Sequence, residues 1–176
     1  MPTTKMVDVT SGNSLLFLIK KIDYHNTVST VVKQVQTHKV VYITFNKTGD
    51  FLMEEFSKKG LSVDNVFFVD AISKSLRKTA KRKNQYFVSS PAAFDEIINI
   101  VNQLLVRGYD QIILDSLTNL LVYQNKPQVR SFITSLIAAT KKRGARILLY
   151  ALLKDEHQNL INAVSKKVDR IIDYSE

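Results

Sequence analysis

Three stretches of the chain carry side chains whose types and spacing could do chemistry. Residues 20–32, KKIDYHNTVSTVV, follow the apolar run SLLFLI and lead into a helical pattern. A strand-to-helix turn offers backbone N–H groups and the positive end of a helix dipole to a phosphate, and Lys20, Lys21 and the Thr27 hydroxyl stand beside this one. Asn26 and Thr27 also suit a helix N-cap, where their side-chain oxygens would accept from orphan N–H groups. Asp115 and Ser116 close the apolar run QIILD, where a carboxylate beside a hydroxyl can hold a metal ion or simply shape a strand-end turn. Residues 74–86, KSLRKTAKRKNQY, gather Lys74, Arg77, Lys78, Lys81, Arg82 and Lys83. Such density suits nucleic-acid phosphates, with Tyr86 or Phe87 for base stacking, or else a mobile, solvated loop. His25, His38 and His157 have no metal-site spacing and read as surface residues. No His is placed by a motif near Ser116, so a Ser-His-Asp constellation has no support.

The elements that must position these residues are legible as two periodicities. Ser14–Ile19, Lys39–Phe45, Val66–Val69, Gln111–Asp115, Arg146–Leu153 and Arg170–Tyr174 are apolar, β-branched runs without alternation, as expected of strands buried on both faces of a parallel sheet. Between them, Val28, Val31, Val32 and Val35 make one apolar helical stripe, and Phe94, Ile97, Ile98, Val101, Leu104 and Leu105 make another. The second helix is expected to start with Ser90 as cap and Pro91 at its first position, and to end before Gly108. Gly49 to Lys59 reads as a shorter helix closing on Gly60. A helix starting near Asn125 and Pro127 turns Val129, Phe132, Ile133, Leu136 and Ile137 inward and ends at Lys141, Lys142, Arg143 and Gly144. Strands alternating with helices predict βαβ units with right-handed crossovers.

Composition narrows the classes. With 176 residues and 45% hydrophobic content, one domain over residues 1–176 is expected. No apolar run is long enough to span a membrane, and residues 1–13, MPTTKMVDVTSGN, lack the apolar core of a signal peptide, so a cytoplasmic protein is expected. The absence of Cys excludes disulfides, thiolate zinc sites and a Cys nucleophile. An excess of 25 Lys and Arg over 16 Asp and Glu gives +9, which attracts any polyanion without choosing among nucleic acid, anionic membrane and acidic protein.

With these motifs placed, the chain resembles the KaiC-like branch of the RecA-type P-loop ATPases along nearly its whole length. The stretch that carries most of the resemblance is YDQIILDSLTNLLVYQNKPQVRSFITSLIAATKKRGARILLYALL, Tyr109 to Leu153, and VVYITFNKTGDFLMEEF resembles the family's second strand and following helix. The resemblance implies an α/β fold: a mostly parallel sheet of about six strands flanked by helices on both faces, ordered 3-2-4-5-1-6, with a ligand crevice at the carboxyl ends of the strands. It places Asp115 and Ser116 at the family's magnesium-associated Walker B position. Against the P-loop pattern G-x-x-x-x-G-K-[ST], Lys20 and His25 stand at the glycine positions and Asn26 at the lysine, and only Thr27 matches. Side chains at the glycine positions hinder the close backbone approach that phosphates need. Where the family typically carries two acidic residues after the second strand, one of them positioning the attacking water, this chain has Asn46 and Lys47.

The expectation that follows is a catalytically inactive KaiC/RecA-like domain, a pseudo-ATPase acting by binding a protein partner or copies of itself in a regulatory or signalling setting. Thr27, Asp115 and Ser116 are then vestigial, and no cofactor is expected. One alternative is a nucleic-acid-binding module using Arg77, Lys78, Lys81, Arg82 and Lys83, on a loop that in hexameric relatives could face a central channel. Another is a nucleotide sensor that binds ATP or ADP, with magnesium, without hydrolysis, drawing on Lys20, Lys21 and Lys47 near the crevice.

Overall fold

The computed structural model describes residues 8–9 and 12–174, so most of the N-terminal stretch read for an export signal lies outside the described residues. Seven strands, β1 (Ser14–Ile19), β2 (Val40–Thr44), β3 (Val66–Asp70), β4 (Gln85–Phe87), β5 (Gln111–Asp115), β6 (Arg146–Leu152) and β7 (Arg170–Asp173), form one sheet in the order β4-β3-β2-β5-β6-β1-β7. Its strand pairings are all parallel. Six helices fill the crossovers: α1 (Tyr24–Val35), α2 (Gly49–Lys58), α3 (Ser73–Leu76), α4 (Phe94–Val106), α5 (Lys126–Lys142) and α6 (Gln158–Ser165). No helix among the described residues is long and apolar enough to cross a membrane.

The unalternating strand sequences follow from burial on both faces. Leu15, Phe17 and Ile19 of β1 join Val40, Tyr42 and Phe68 under the valine stripe of α1 and Leu52 and Phe56 of α2. Leu16, Val41, Ile43, Ile112, Leu114, Ile147 and Leu149 point the other way, against Ile97, Val101 and Leu104 of α4, Phe132 and Ile133 of α5, and Leu160, Ile161 and Val164 of α6. With apolar cover on both sides, a one-residue register slip would exchange two equally apolar sets, so the faces are told apart by their few polar members, Thr44, Asp70 and Asp115.

The expected order of six strands holds, with one addition at the edge. Gln85–Phe87, which reads as the tail of the basic segment, pairs in parallel with β3 as a seventh strand. Three residues are too few to show periodicity, and their strand character comes from pairing. The α4 start also differs from expectation. Ser90 and Pro91 form a turn in which Ser90 accepts from the Ala92 N–H through its Oγ (3.2 Å) and from the Ala93 N–H through its carbonyl (3.0 Å). The helix begins three residues later at Phe94. At α5 the sequence reading holds: Asn125 caps the helix by accepting from the Gln128 N–H at 3.0 Å, and Gly144 ends it with φ +66°.

Asp70, fully buried at the end of β3, ties this edge of the sheet together. Its Oδ2 accepts from the Gly49 N–H (2.7 Å), Ser73 Oγ (2.6 Å) and Gln85 Nε2 (3.1 Å), and its Oδ1 from the N–H groups of Ile72 (2.9 Å) and Ser73 (2.8 Å). One carboxylate therefore fixes the starts of α2 and α3 and the edge strand β4. Gly49 is required by closeness: a Cβ there would lie 2.5 Å from Gln85 Nε2 and 3.3 Å from Phe68 Cβ. Asp70→Ala strands five donors and should cost about 3 kcal/mol or more in urea unfolding. Gly49→Ala should cost about 1–3 kcal/mol by overpacking. Wild-type stability of Asp70→Ala would show that this network does not hold the edge.

Candidate functional site

The ligand crevice of such a sheet lies where the carboxyl ends of β1, β2, β5 and β6 converge. After β1 the chain passes through Lys20, in extended conformation, into a single 3-10 turn, Lys21–Asp23, and directly into α1. The Asp23 N–H donates to the Lys20 carbonyl at 3.0 Å, so helical hydrogen bonding begins at once and no open phosphate loop forms. The cap reading of Asn26 and Thr27 is overturned by this early start. Asp23 occupies the N-cap position without a side-chain bond, while Asn26 lies exposed inside the helix and Thr27 is buried on its inner face.

Side chains from three elements meet in the crevice. Lys47, following β2, places its Nζ 3.1 Å from Glu55 Oε2 on α2, 3.3 Å from His25 Nδ1 on α1 and 4.3 Å from the centre of the Phe51 ring. Its backbone is held by Thr44, whose Oγ1 donates to the Lys47 carbonyl at 2.5 Å. Behind this cluster, Tyr24, His25, Lys47, Glu55, Phe56 and Asp115 line a cavity of about 10 Å³. That is room for about one water molecule.

Asp115 closes the back of the cavity, 1% exposed. The Tyr42 hydroxyl donates to its Oδ2 at 2.6 Å, while its Oδ1 and the hydroxyls of Tyr24 and Tyr150 are buried without a partner. Burial pushes the Asp115 carboxyl up to about 8 and raises the Tyr42 and Tyr150 phenols well above their ordinary value. At neutral pH this acid is therefore mostly uncharged. Ser116, fully buried, lies with its Oγ 3.2 Å from Thr118 Oγ1, which accepts from the Leu152 N–H at 3.2 Å. Together with the Leu117 N–H donating to the Tyr150 carbonyl at 2.7 Å, this stitches the end of β5 to β6. The fold thus brings Asp115 to the crevice, ties Ser116 into the strand-end turn and leaves Thr27 outside the cavity lining. Among the described residues, no cluster of three or more His, Asp or Glu could hold a metal.

The basic segment is partly neutralised within the chain. Arg77 pairs with Asp50 on α2, and Arg82 Nη1 lies 3.1 Å from the same carboxylate, leaving Lys78, Lys81 and Lys83 exposed. Phe87 is buried in β4 and the Tyr86 hydroxyl donates to Glu96 at 3.0 Å, so no ring at Phe87 is free for stacking.

Sequence reasoning misses Tyr24, Tyr42, Glu55 and Tyr150 as crevice residues. A period-two reading of β2 and β6 puts Tyr42 and Tyr150 on the face shared with Asp115, which was a usable sign. Glu55 carries no local sign, because its meeting with Lys47 depends on how α2 docks.

Because the folded state keeps a proton on Asp115 that the unfolded chain releases above about pH 4, its burial lowers stability as pH rises from about 4 to 8 and costs no more beyond that. Asp115→Asn lacks this penalty. Its stability relative to wild type should rise by about 1 kcal/mol per pH unit across that window. Chemical unfolding at pH 5 and pH 8 measures it, and a pH-independent difference would contradict the burial of this acid.

No protein-family model matches the chain, and no curated protein matches it in sequence. Among solved structures, a KaiC-like protein from the hyperthermophilic archaeon Pyrococcus horikoshii OT3 superposes with a TM-score of 0.61 at 11% identity. The superposition covers 81% of this chain and 63% of that one, so the chain spans less than two thirds of that protein's length. Identity this low carries the fold and no activity. The seven-stranded parallel sheet with helices on both faces is an α/β fold matching that of this KaiC-like protein.

Proposed function

We propose that this chain is a catalytically inactive KaiC/RecA-like domain that works by binding, as a regulatory or protein-interaction module. The observation that carries this reading is the Lys47–Glu55–His25 cluster, which fills the crevice where a nucleotide would sit. These residues do not fit a nucleoside triphosphate with magnesium. The gap of about 10 Å³ is more than an order of magnitude below ordinary ligand pockets, which run to about 300 Å³ and upward. A mostly protonated Asp115, already bonded to Tyr42, is also a poor ligand for a hard divalent cation.

A binding role is supported by the same edge of the sheet. Ile22 is 86% exposed, Phe51 44%, Leu76 68% and Val122 78%, and these four lie on the connections that follow β1, β2, β3 and β5. Apolar side chains gathered beyond one end of a sheet suit a protein partner or a second copy of the chain, with the closed crevice serving as a fixed surface. The nucleotide-sensor reading requires this crevice to open. The nucleic-acid reading of residues 74–83 rests on Lys78, Lys81 and Lys83, since Arg77 and Arg82 are engaged with Asp50.

Calorimetric titration with ATP and ADP, with and without magnesium, should give no binding heat, and thermal melting should not shift. Micromolar binding that Thr27→Ala and Asp115→Ala abolish would move the sensor reading to first place. Magnesium-dependent turnover by the purified protein would overturn the proposal.

A further inference from the structure

A second group of cations lies between α5 and α6, on the sheet face opposite α1 and α2. Helix α5, KPQVRSFITSLIAATKK, carries Lys126, Arg130, Lys141 and Lys142 and no acidic residue over its 17 positions. A groove of about 640 Å³ separates it from the end of α6 and is lined by Arg130, Ser131, Thr134, Lys166 and Lys167, with no carboxylate among its lining residues. Arg130, Lys166 and Lys167 are exposed, and among the described residues their side chains have no ion pair. A second small cavity sets Lys141 beside Lys167 and continues the cationic path toward the end of α5. Asp169 also lines that cavity, accepting from the N–H groups of Asn13 (2.9 Å) and Ser14 (3.0 Å); its carboxyl is held below the usual range and partly balances Lys141.

We propose that the α5–α6 groove is a binding site for nucleic acid, held through its phosphates by Arg130, Lys166 and Lys167. Three features select this ligand class. Three cations line one groove of about 640 Å³ that holds no carboxylate, which suits a ligand that repeats its charge, as a phosphodiester backbone does. No aromatic or large aliphatic side chain lines the groove, which leaves an acidic peptide without the anchors that usually carry protein docking. The same lack of exposed apolar residues leaves an anionic membrane nothing to bury. Arg, Lys and hydroxyl side chains are the usual phosphate contacts, and because such contacts carry no base information the binding is independent of base sequence. The groove shares no lining residue with the crevice cavity and does not depend on whether the crevice binds nucleotide.

Fluorescence anisotropy with a labelled oligothymidylate at a series of salt concentrations tests the assignment. Wild-type protein should bind at low salt and weaken steeply as salt rises. Replacing Arg130, Lys166 and Lys167 together by Ala should weaken binding by about tenfold or more and flatten the log–log salt slope by about 2, since each lost phosphate contact removes about 0.7. Replacing Lys78, Lys81 and Lys83 by Ala should leave affinity within about twofold, with both variants matched to wild type by circular dichroism and melting temperature. The charge reversal Lys166→Glu, at an exposed helix end, provides a second and milder variant that should also weaken binding. Absence of binding at low salt, or loss confined to the Lys78, Lys81 and Lys83 variant, would overturn the proposal. Competition by poly-glutamate at equal charge as effective as unlabelled oligonucleotide would overturn it in favour of an acidic polypeptide.

Discussion

A parallel sheet covered on both faces has one end at which its chain can do chemistry, the edge where the strands deliver their carboxyl-terminal loops. What sits at that edge here is a partly buried cation. Lys47 leaves β2 with its backbone pinned by Thr44 and reaches Glu55 on one side and His25 on the other, so one ammonium group joins α1 to α2 across the crevice. The valine stripe, buried against the sheet, sets the position of α1, and this contact ties its start to α2 at the surface. The connection after β1 is one 3-10 turn, in which the Asp23 N–H already donates to the Lys20 carbonyl.

Behind Lys47 the electrostatics run against charge. Asp115 ends a strand whose other members are buried, and the sole donor it meets is the Tyr42 hydroxyl. Burial favours the neutral acid, and the phenols of Tyr42 and Tyr150 are raised chiefly for the same reason. A crevice of this kind is polar in composition yet mostly uncharged at neutral pH in its depths, with its charge displaced to the rim. Asp70, two strands away, shows the contrast: an equally buried carboxylate that meets five donors and organises two helix starts and an edge strand. The two aspartates end neighbouring regions of one sheet, and the number of donors each meets decides whether it builds structure or carries a cost.

Much of the fold was legible because burial on both faces writes itself into composition: each unalternating apolar run became a strand, while the order of six of them, which the family resemblance implied, is the order observed. The missing strand, β4, is three residues long and owes its conformation to β3 and to Gln85 reaching Asp70. Capping chemistry was readable at Asn125 and Gly144, where the bond is local, and misleading at Ser90 and Asn26, where a local turn and an early 3-10 start moved the helix ends. At the candidate site, the residue types at positions 20, 25, 26, 46 and 47 could be judged against the pattern that the family resemblance supplied. Their replacement contacts could not, because Lys47 meets Glu55 and His25 only through helix docking. The basic segment illustrates the same limit from the other side: charge density is visible in a sequence, whereas the sharing of Asp50 by Arg77 and Arg82 and the unbalanced surface of α5 and α6 appear only in three dimensions.

The filled crevice is tested most directly by amide chemical shifts in ¹⁵N-labelled protein during titration with magnesium ATP. With Lys47, Glu55 and His25 occupying the site, the amides of residues 20–27, 46–49 and 115–118 are expected to hold their positions up to high nucleotide concentration, with any changes confined to exposed cations elsewhere. Saturable shifts concentrated in those three segments would mean that the cluster yields to a nucleotide, and the crevice would then be a working site rather than a closed one.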